Sequence, residues 1–149
     1  MNRLLAAAAA PLLLTLAAAG PSLPIQPGKW QSTVTILDMQ SPHLPAGVGA
    51  GMRAHPTTVT ACITAAQAAD GPRAVLQGSN GKCRYTSFNA TGGRFNSVMV
   101  CTFASGSITA TSNGTYTPTT MDVSGSSVMT GRVQTTTKTH TSARRVSAC

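Results

Sequence analysis

The stretch KCRYTSFNATGGRFNSVMVCTF, Lys82 to Phe103, decides the fold. Two strand-like runs flank Thr91-Gly92-Gly93, and a three-residue hairpin loop with glycine in the left-handed position fits that spacing. Folding the ribbon about Gly92 sets Tyr85 opposite Met99, Asn89 opposite Phe95, and Cys83 opposite Cys101. Side chains alternate across a strand, so Cys83, Tyr85, Phe95, Met99 and Cys101 share one face. Two cysteines that face each other across a hairpin read as a disulfide clamp.

Working outward from that hairpin, the same signals recur. Ser107 to Ser112 and Thr115 to Val123 flank Asn113-Gly114, a strong short-range hairpin signal, with Pro118 expected at an edge or bulge. Val128 to Thr139 reads as a last long strand that returns the chain toward Ser142 to Cys149. Upstream, Trp30, Ser32, Val34 and Ile36 alternate with Gln31, Thr33, Thr35 and Leu37 in a first strand over Lys29 to Leu37. A Pro/Gly/Met loop without periodicity follows, from Asp38 to Pro56. Thr57 to Ile63 is a second strand and carries Cys62. It runs into Thr64-Ala65-Ala66-Gln67, a capping box that opens a short helix ended by Asp70, Gly71 and Pro72, with room for one more turn over Arg73 to Gln77. The sum is an all-β fold class: a single antiparallel β domain, a sandwich or a partly open barrel, with one short helix, stabilised by disulfides. Its expected core is Trp30, Val34, Ile36, Val59, Tyr85, Phe95, Met99, Phe103 and Tyr116.

Residues 1–19 read as a signal peptide and residues 20–149 as the exported domain. Arg3 gives a positive start, a Leu/Ala-rich run follows to Ala19, and Ala17 and Ala19 fit cleavage before Gly20. No second apolar stretch is long enough for a transmembrane span, so the expected location is periplasmic or secreted. The chain has four cysteines, which permit three pairings. The hairpin favours Cys83 with Cys101 and leaves Cys62 with Cys149. With no C-x-x-C and no zinc spacing, structural disulfides are the expected role.

The formal charge of +8 falls to +7 when Arg3 leaves with the leader, since 8 − 1 = 7 and the leader holds no other charged side chain. The acids are only Asp38, Asp70 and Asp122. A thinly charged surface with 4% aromatic residues lacks the interleaved bases and rings of a nucleic-acid binder, so no nucleic acid is expected as partner. An anionic envelope component or a small apolar ligand suits the composition better. Arg132, Lys138, Arg144 and Arg145 are the candidate anion-binding residues, along the last strand and just beyond it. Met39, His43, Met52 and His55 place two thioethers and two imidazoles in one loop, the donor set that copper selects. His140, among many serines and threonines, is the only hint of a hydrolase, and no nucleophile elbow accompanies it. The expected role is therefore non-catalytic, with no cofactor: an exported module that binds an apolar or amphipathic ligand or an envelope component, with copper binding as the alternative.

Five segments in order carry a likeness: Pro27-Gly28-Lys29-Trp30; Thr60-Ala61-Cys62-Ile63-Thr64-Ala65-Ala66-Gln67-Ala68-Ala69; Lys82-Cys83-Arg84-Tyr85 with Ala90-Thr91-Gly92-Gly93-Arg94-Phe95; Gly114-Thr115-Tyr116-Thr117-Pro118-Thr119; and Arg144-Arg145-Val146 before Cys149. Together they make the chain resemble the small exported Gram-negative proteins grouped as domain of unknown function 3617. The resemblance implies a periplasmic, cysteine-paired β domain. It implies no activity and no catalytic residues.

Overall fold

The computed structural model describes residues 24–42, 45, 47–53, 55–76, 82–132 and 134–149. The expected leader and His43 lie outside the described residues. Seven antiparallel strands form one open sheet: β1 (Gly28–Gln40), β2 (Thr57–Ile63), β3 (Cys83–Thr91), β4 (Arg94–Phe103), β5 (Gly106–Tyr116), β6 (Thr120–Gly131) and β7 (Thr135–Ser147). Their spatial order is β2-β1-β7-β6-β5-β4-β3. Three short helices lie between the early strands: α1 (Val48–Arg53), α2 (Ala65–Ala68) and α3 (Arg73–Leu76). The antiparallel all-β expectation holds, realised as one sheet and not as two facing ones.

The β3–β4 hairpin keeps the expected pairs Cys83 with Cys101 and Tyr85 with Met99, and a disulfide joins the two cysteines. Closing a loop of 18 residues is worth about 3 kcal/mol through the unfolded chain. The Cys83→Ala, Cys101→Ala double variant should therefore lose about that much in urea unfolding. The turn is tighter than expected. Thr91 pairs with Arg94, leaving Gly92 and Gly93 as the two turn residues, both in the left-handed region at φ 58° and 76°. A register shift between Tyr85 and Ser87 compensates, so Asn89 faces Asn96, and Phe95 faces Ala90 in place of Asn89. Beyond that bulge Phe88 and Ala90 take the inward positions.

Three expectations fail on local packing. Asn113 and Gly114 are not a turn. They sit inside β5, paired on one side with Asn96 and Phe95 and on the other with Ser124 and Val123. Gly114 is needed for close approach: a Cβ there would meet the Asp122 carbonyl oxygen and stand 3.0 Å from the Phe95 ring. Gly114→Ala should destabilise the domain by about 1–3 kcal/mol, read by chemical denaturation. The turn falls instead at Thr117-Pro118-Thr119, where the Thr117 N–H donates to the Thr120 carbonyl at 2.9 Å. Pro118 has no N–H to contribute to a ladder, so a turn suits it. The supposed last strand is two strands. β6 ends at Gly131, the Arg132 N–H donates to the Ser105 carbonyl at 3.4 Å, and β7 starts at Thr135. Finally, the Asp38 to Pro56 segment is partly ordered by pairing. After a bulge at Leu37, Asp38, Met39 and Gln40 continue β1 against Lys138, Thr137 and Thr136. α1 then lies alongside β1, with two glycines in six residues, a composition of low helix propensity.

The capping box forms as read. The Gln67 N–H donates to Thr64 Oγ1 at 3.2 Å, and the Thr64 N–H donates to Gln67 Oε1 at 2.9 Å. It turns the chain off the sheet edge and across the inner face. Five strand spacings separate β2 from β4 in the sheet order, about 24 Å in a flat sheet. Yet Ile63, Ala68, Phe95 and Tyr116 belong to one buried cluster with Ile25, Trp30, Met121, Val123 and Ala143. The Arg73 guanidinium on α3 lies over Tyr85 and Phe88 of the opposite edge strand. The sheet therefore curls, and α2 and α3 cover one end of its inner face. Trp30 is the deepest large side chain at 1% exposure, and its indole N–H donates to the Gln26 carbonyl at 3.0 Å. Val59 and Phe103, expected in the core, are 54% and 38% exposed. Both lie in strands at or near the sheet edges, beyond the cover of α2 and α3.

Candidate functional site

The strand registers define what shares the inner face with the core. Phe95 pairs with Gly114, Gly114 with Val123, Val123 with Thr141, and Thr141 with Val34. Stepping two residues at a time from each places Ile36 and Met39 on β1, Met99 on β4, Ile108 on β5 and Met129 on β6 on that same face. All of these are half-buried, unlike the fully buried Trp30 end. Between them stand small or hydroxylated side chains, Ala110, Ser127, Thr137 and Thr139. The result is a shallow apolar trough whose unbranched thioether side chains can adjust to an irregular guest.

One wall of the trough is aromatic and carries polar groups. Tyr85 and Phe88 meet edge to face at 5.2 Å, Phe88 and Phe95 stack at 6.1 Å, and Phe95 and Tyr116 meet edge to face at 6.3 Å. The Arg73 guanidinium carbon stands 4.7 Å from the Phe88 ring centre and 5.5 Å from that of Tyr85. The hydroxyls of Tyr85 and Tyr116 are buried and have no hydrogen-bond partner among the described residues. Burial pushes the Tyr85 phenol up from its ordinary range, and the neighbouring Arg73 charge offsets part of that rise.

The residues singled out from sequence scatter. Lys138 and Arg144 lie on the outer face of β7, where Arg144 Nη2 donates to Gln31 Oε1 at 3.2 Å. Arg145 follows on the opposite face and donates from Nε to the Pro27 carbonyl at 2.7 Å. Arg132 sits in the β6–β7 turn. The four cations are thus not one stripe, because adjacent strand residues face opposite ways. Of the copper candidates, Met39 is on β1 facing the trough, while Met52 is the penultimate residue of α1 and His55 lies just beyond the helix, the His55 N–H donating to the Met52 carbonyl at 3.4 Å. Among the described residues no three His, Cys, Asp or Glu side chains form a metal-sized group. His140 Nε2 meets Asp122 Oδ2 at 2.9 Å on the outer face. Both partners are well exposed, and Ser124, paired directly with His140, makes no hydrogen bond to it. Such a pair contributes little, and Asp122→Ala should shift stability by less than about 1 kcal/mol in thermal melts.

Cys62 and Cys149 are exposed free thiols that come together at the sheet edge. Lys29 pairs with both Cys62 and Ser147, which brings the chain's last residues beside β2. A hydrogen bond with Cys62 holds the Cys149 thiol pKa above its ordinary range. Arg73 and Tyr116 escaped the sequence reading as site residues. Arg73 looked like the start of a spare turn, and only the curl of the sheet sets it over the rings of β3.

Among the described residues, no helix is long and apolar enough to cross a membrane. A family description, Protein of unknown function (DUF3617), matches residues 25–149. No curated protein and no solved structure matches the chain.

Proposed function

The chain belongs to that DUF3617 family, which carries no activity to transfer, and from its own geometry we propose a non-catalytic exported domain that holds an apolar or amphipathic ligand in the trough. The observation that carries this reading is the incomplete burial of Val34, Ile36, Met39, Met99, Ile108 and Met129 on a single sheet face. A sheet that only needed a core would cover these side chains as α2 and α3 cover Trp30. Leaving this much contiguous apolar surface to water is unfavourable, and a bound guest would recover it. Export to the periplasm or beyond is supported by the leader-like start and by the Cys83–Cys101 disulfide.

Calorimetric titration with a neutral single-chain amphiphile such as 1-decanol tests the trough. Saturable binding is expected in the wild type. Met99→Glu, which sets a charge on the trough floor, should weaken it by more than about tenfold while leaving the melting temperature within a few degrees. Absence of saturable binding by the wild type, or unchanged binding by Met99→Glu, overturns the reading. The copper alternative keeps one local feature in its favour, the proximity of Met52 and His55. Native mass spectrometry with added Cu(I) separates it, since a stoichiometric metal lost in His55→Ala would replace the trough as the functional centre.

A further inference from the structure

Composition makes Arg73 unusual. The whole chain has eleven Lys and Arg against three acids, and all three acids are described. The single ion pair among the described residues is His140 with Asp122. Arg73 therefore meets no carboxylate, and no hydrogen bond from its guanidinium to another described residue is formed either. Its guanidinium carbon stands instead over two rings, 4.7 Å from the centre of Phe88 and 5.5 Å from that of Tyr85. The Tyr85 ring beneath it carries a hydroxyl that is buried and has no partner among the described residues, and further along the same aromatic wall the Tyr116 hydroxyl, on a residue only 3% exposed, has none either. A buried hydroxyl without a partner costs about 1–3 kcal/mol, and a cation half-covered by rings has lost part of its hydration. At this end of the apolar face, Arg73 and Tyr85 bring a cation and a hydroxyl, both without a hydrogen-bond partner among the described residues, to one place, as the polar end of a guest would require.

Building on the trough reading above, we propose that Arg73 and Tyr85 bind the carboxylate of a single-chain amphiphile whose alkyl tail lies along the methionines of the sheet. The planar guanidinium offers paired donors to a planar carboxylate, and the phenol adds a third. The charge also matches. Arg73 is the one cation stacked on Tyr85 and Phe88, so a single negative charge is neutralised, whereas a phosphate monoester would carry about −1.5 to −2. The tail direction follows from the registers, which lead from Tyr85 through Met99 to Ala110, Ser127 and Thr137 beside Met39.

The test compares decanoate with 1-decanol by calorimetry, at concentrations where both are monomeric. Decanoate should bind at least about tenfold more tightly than the alcohol. Arg73→Gln should bring decanoate down to the affinity of the alcohol, Arg73→Lys should keep part of the preference, and Tyr85→Phe should reduce it several-fold. Circular dichroism of each variant checks that it folds, and the lysine variant preserves the test if the glutamine one does not. Equal affinity for acid and alcohol, a preference that survives Arg73→Gln, or tighter binding of decyl phosphate than of decanoate overturns the assignment while leaving the trough in place. Failure of both decanoate and decanol to bind overturns the trough itself.

Discussion

Trp30→Ala should cost the domain about 3–5 kcal/mol, more than any other single core truncation. Trp30 is 1% exposed, and it and Pro72 are the largest fully buried side chains among the described residues. Its removal opens a cavity where β1, the N-terminal segment and the α2–α3 cover converge. It also strips the Gln26 carbonyl of its indole donor. The loss propagates because the Gln26 N–H donates to the Pro118 carbonyl at 2.7 Å, holding the β5–β6 turn. Domains of this size have about 5–15 kcal/mol in all, so the variant should unfold at far lower urea. Far-ultraviolet circular dichroism is the suitable readout, since the variant lacks the chain's only tryptophan. Val59→Ala, at the exposed edge, should shift the midpoint hardly at all. A Trp30→Ala loss below about 1 kcal/mol would contradict the packing described.

Oxidation of Cys62 and Cys149 should produce the second large effect. The two thiols give up two protons and two electrons to a disulfide oxidant such as oxidised glutathione, and one sulfur–sulfur bond closes a loop of 87 residues (149 − 62). Restricting so long a loop in the unfolded chain should raise the melting temperature by on the order of 10 °C. Non-reducing peptide mapping should find the cross-link, and Cys149→Ser should remove the gain. Because Cys149 holds its proton more tightly than an ordinary thiol, its thiolate appears only at higher pH. Its alkylation by iodoacetamide should accordingly rise at higher pH than that of an isolated cysteine. A Cys62–Cys83 cross-link in the folded protein would contradict the sheet order, which places β2 and β3 at opposite edges.

What could be read from sequence was what local chemistry fixes. The Gly-Gly hairpin, the Thr64 capping box and the β2 strand Thr57–Ile63 are each specified within a few neighbouring residues, and each is present, the hairpin with a loop one residue shorter than read. Asn113-Gly114 misled because the same dipeptide serves a turn or a close approach, and only the Asp122 backbone and the Phe95 ring on the neighbouring strands select the second. Val128 to Thr139 looked continuous because threonine suits both a strand and its exposed ends. The trough was half legible: Val34, Ile36 and Met99 showed their parity, but they were taken for closed core. Arg73 was not legible at all, since its neighbours Tyr85 and Phe88 reach it only when the sheet curls.

The placement of β1 against β7 has a kinetic consequence. These are the first and last strands, thirteen residues each, and they pair along their lengths in the interior of the sheet, with β2 depending on β1 for its only ladder. The consecutive hairpins from β3 to β6 can form early through nearby contacts. The β1–β7 seam must wait for β7, because it closes everything between the two strands into one loop. Until β7 is in place, β1 and β2 therefore stay apart from the consecutive hairpins, and the sheet is completed in one late step that joins its two halves.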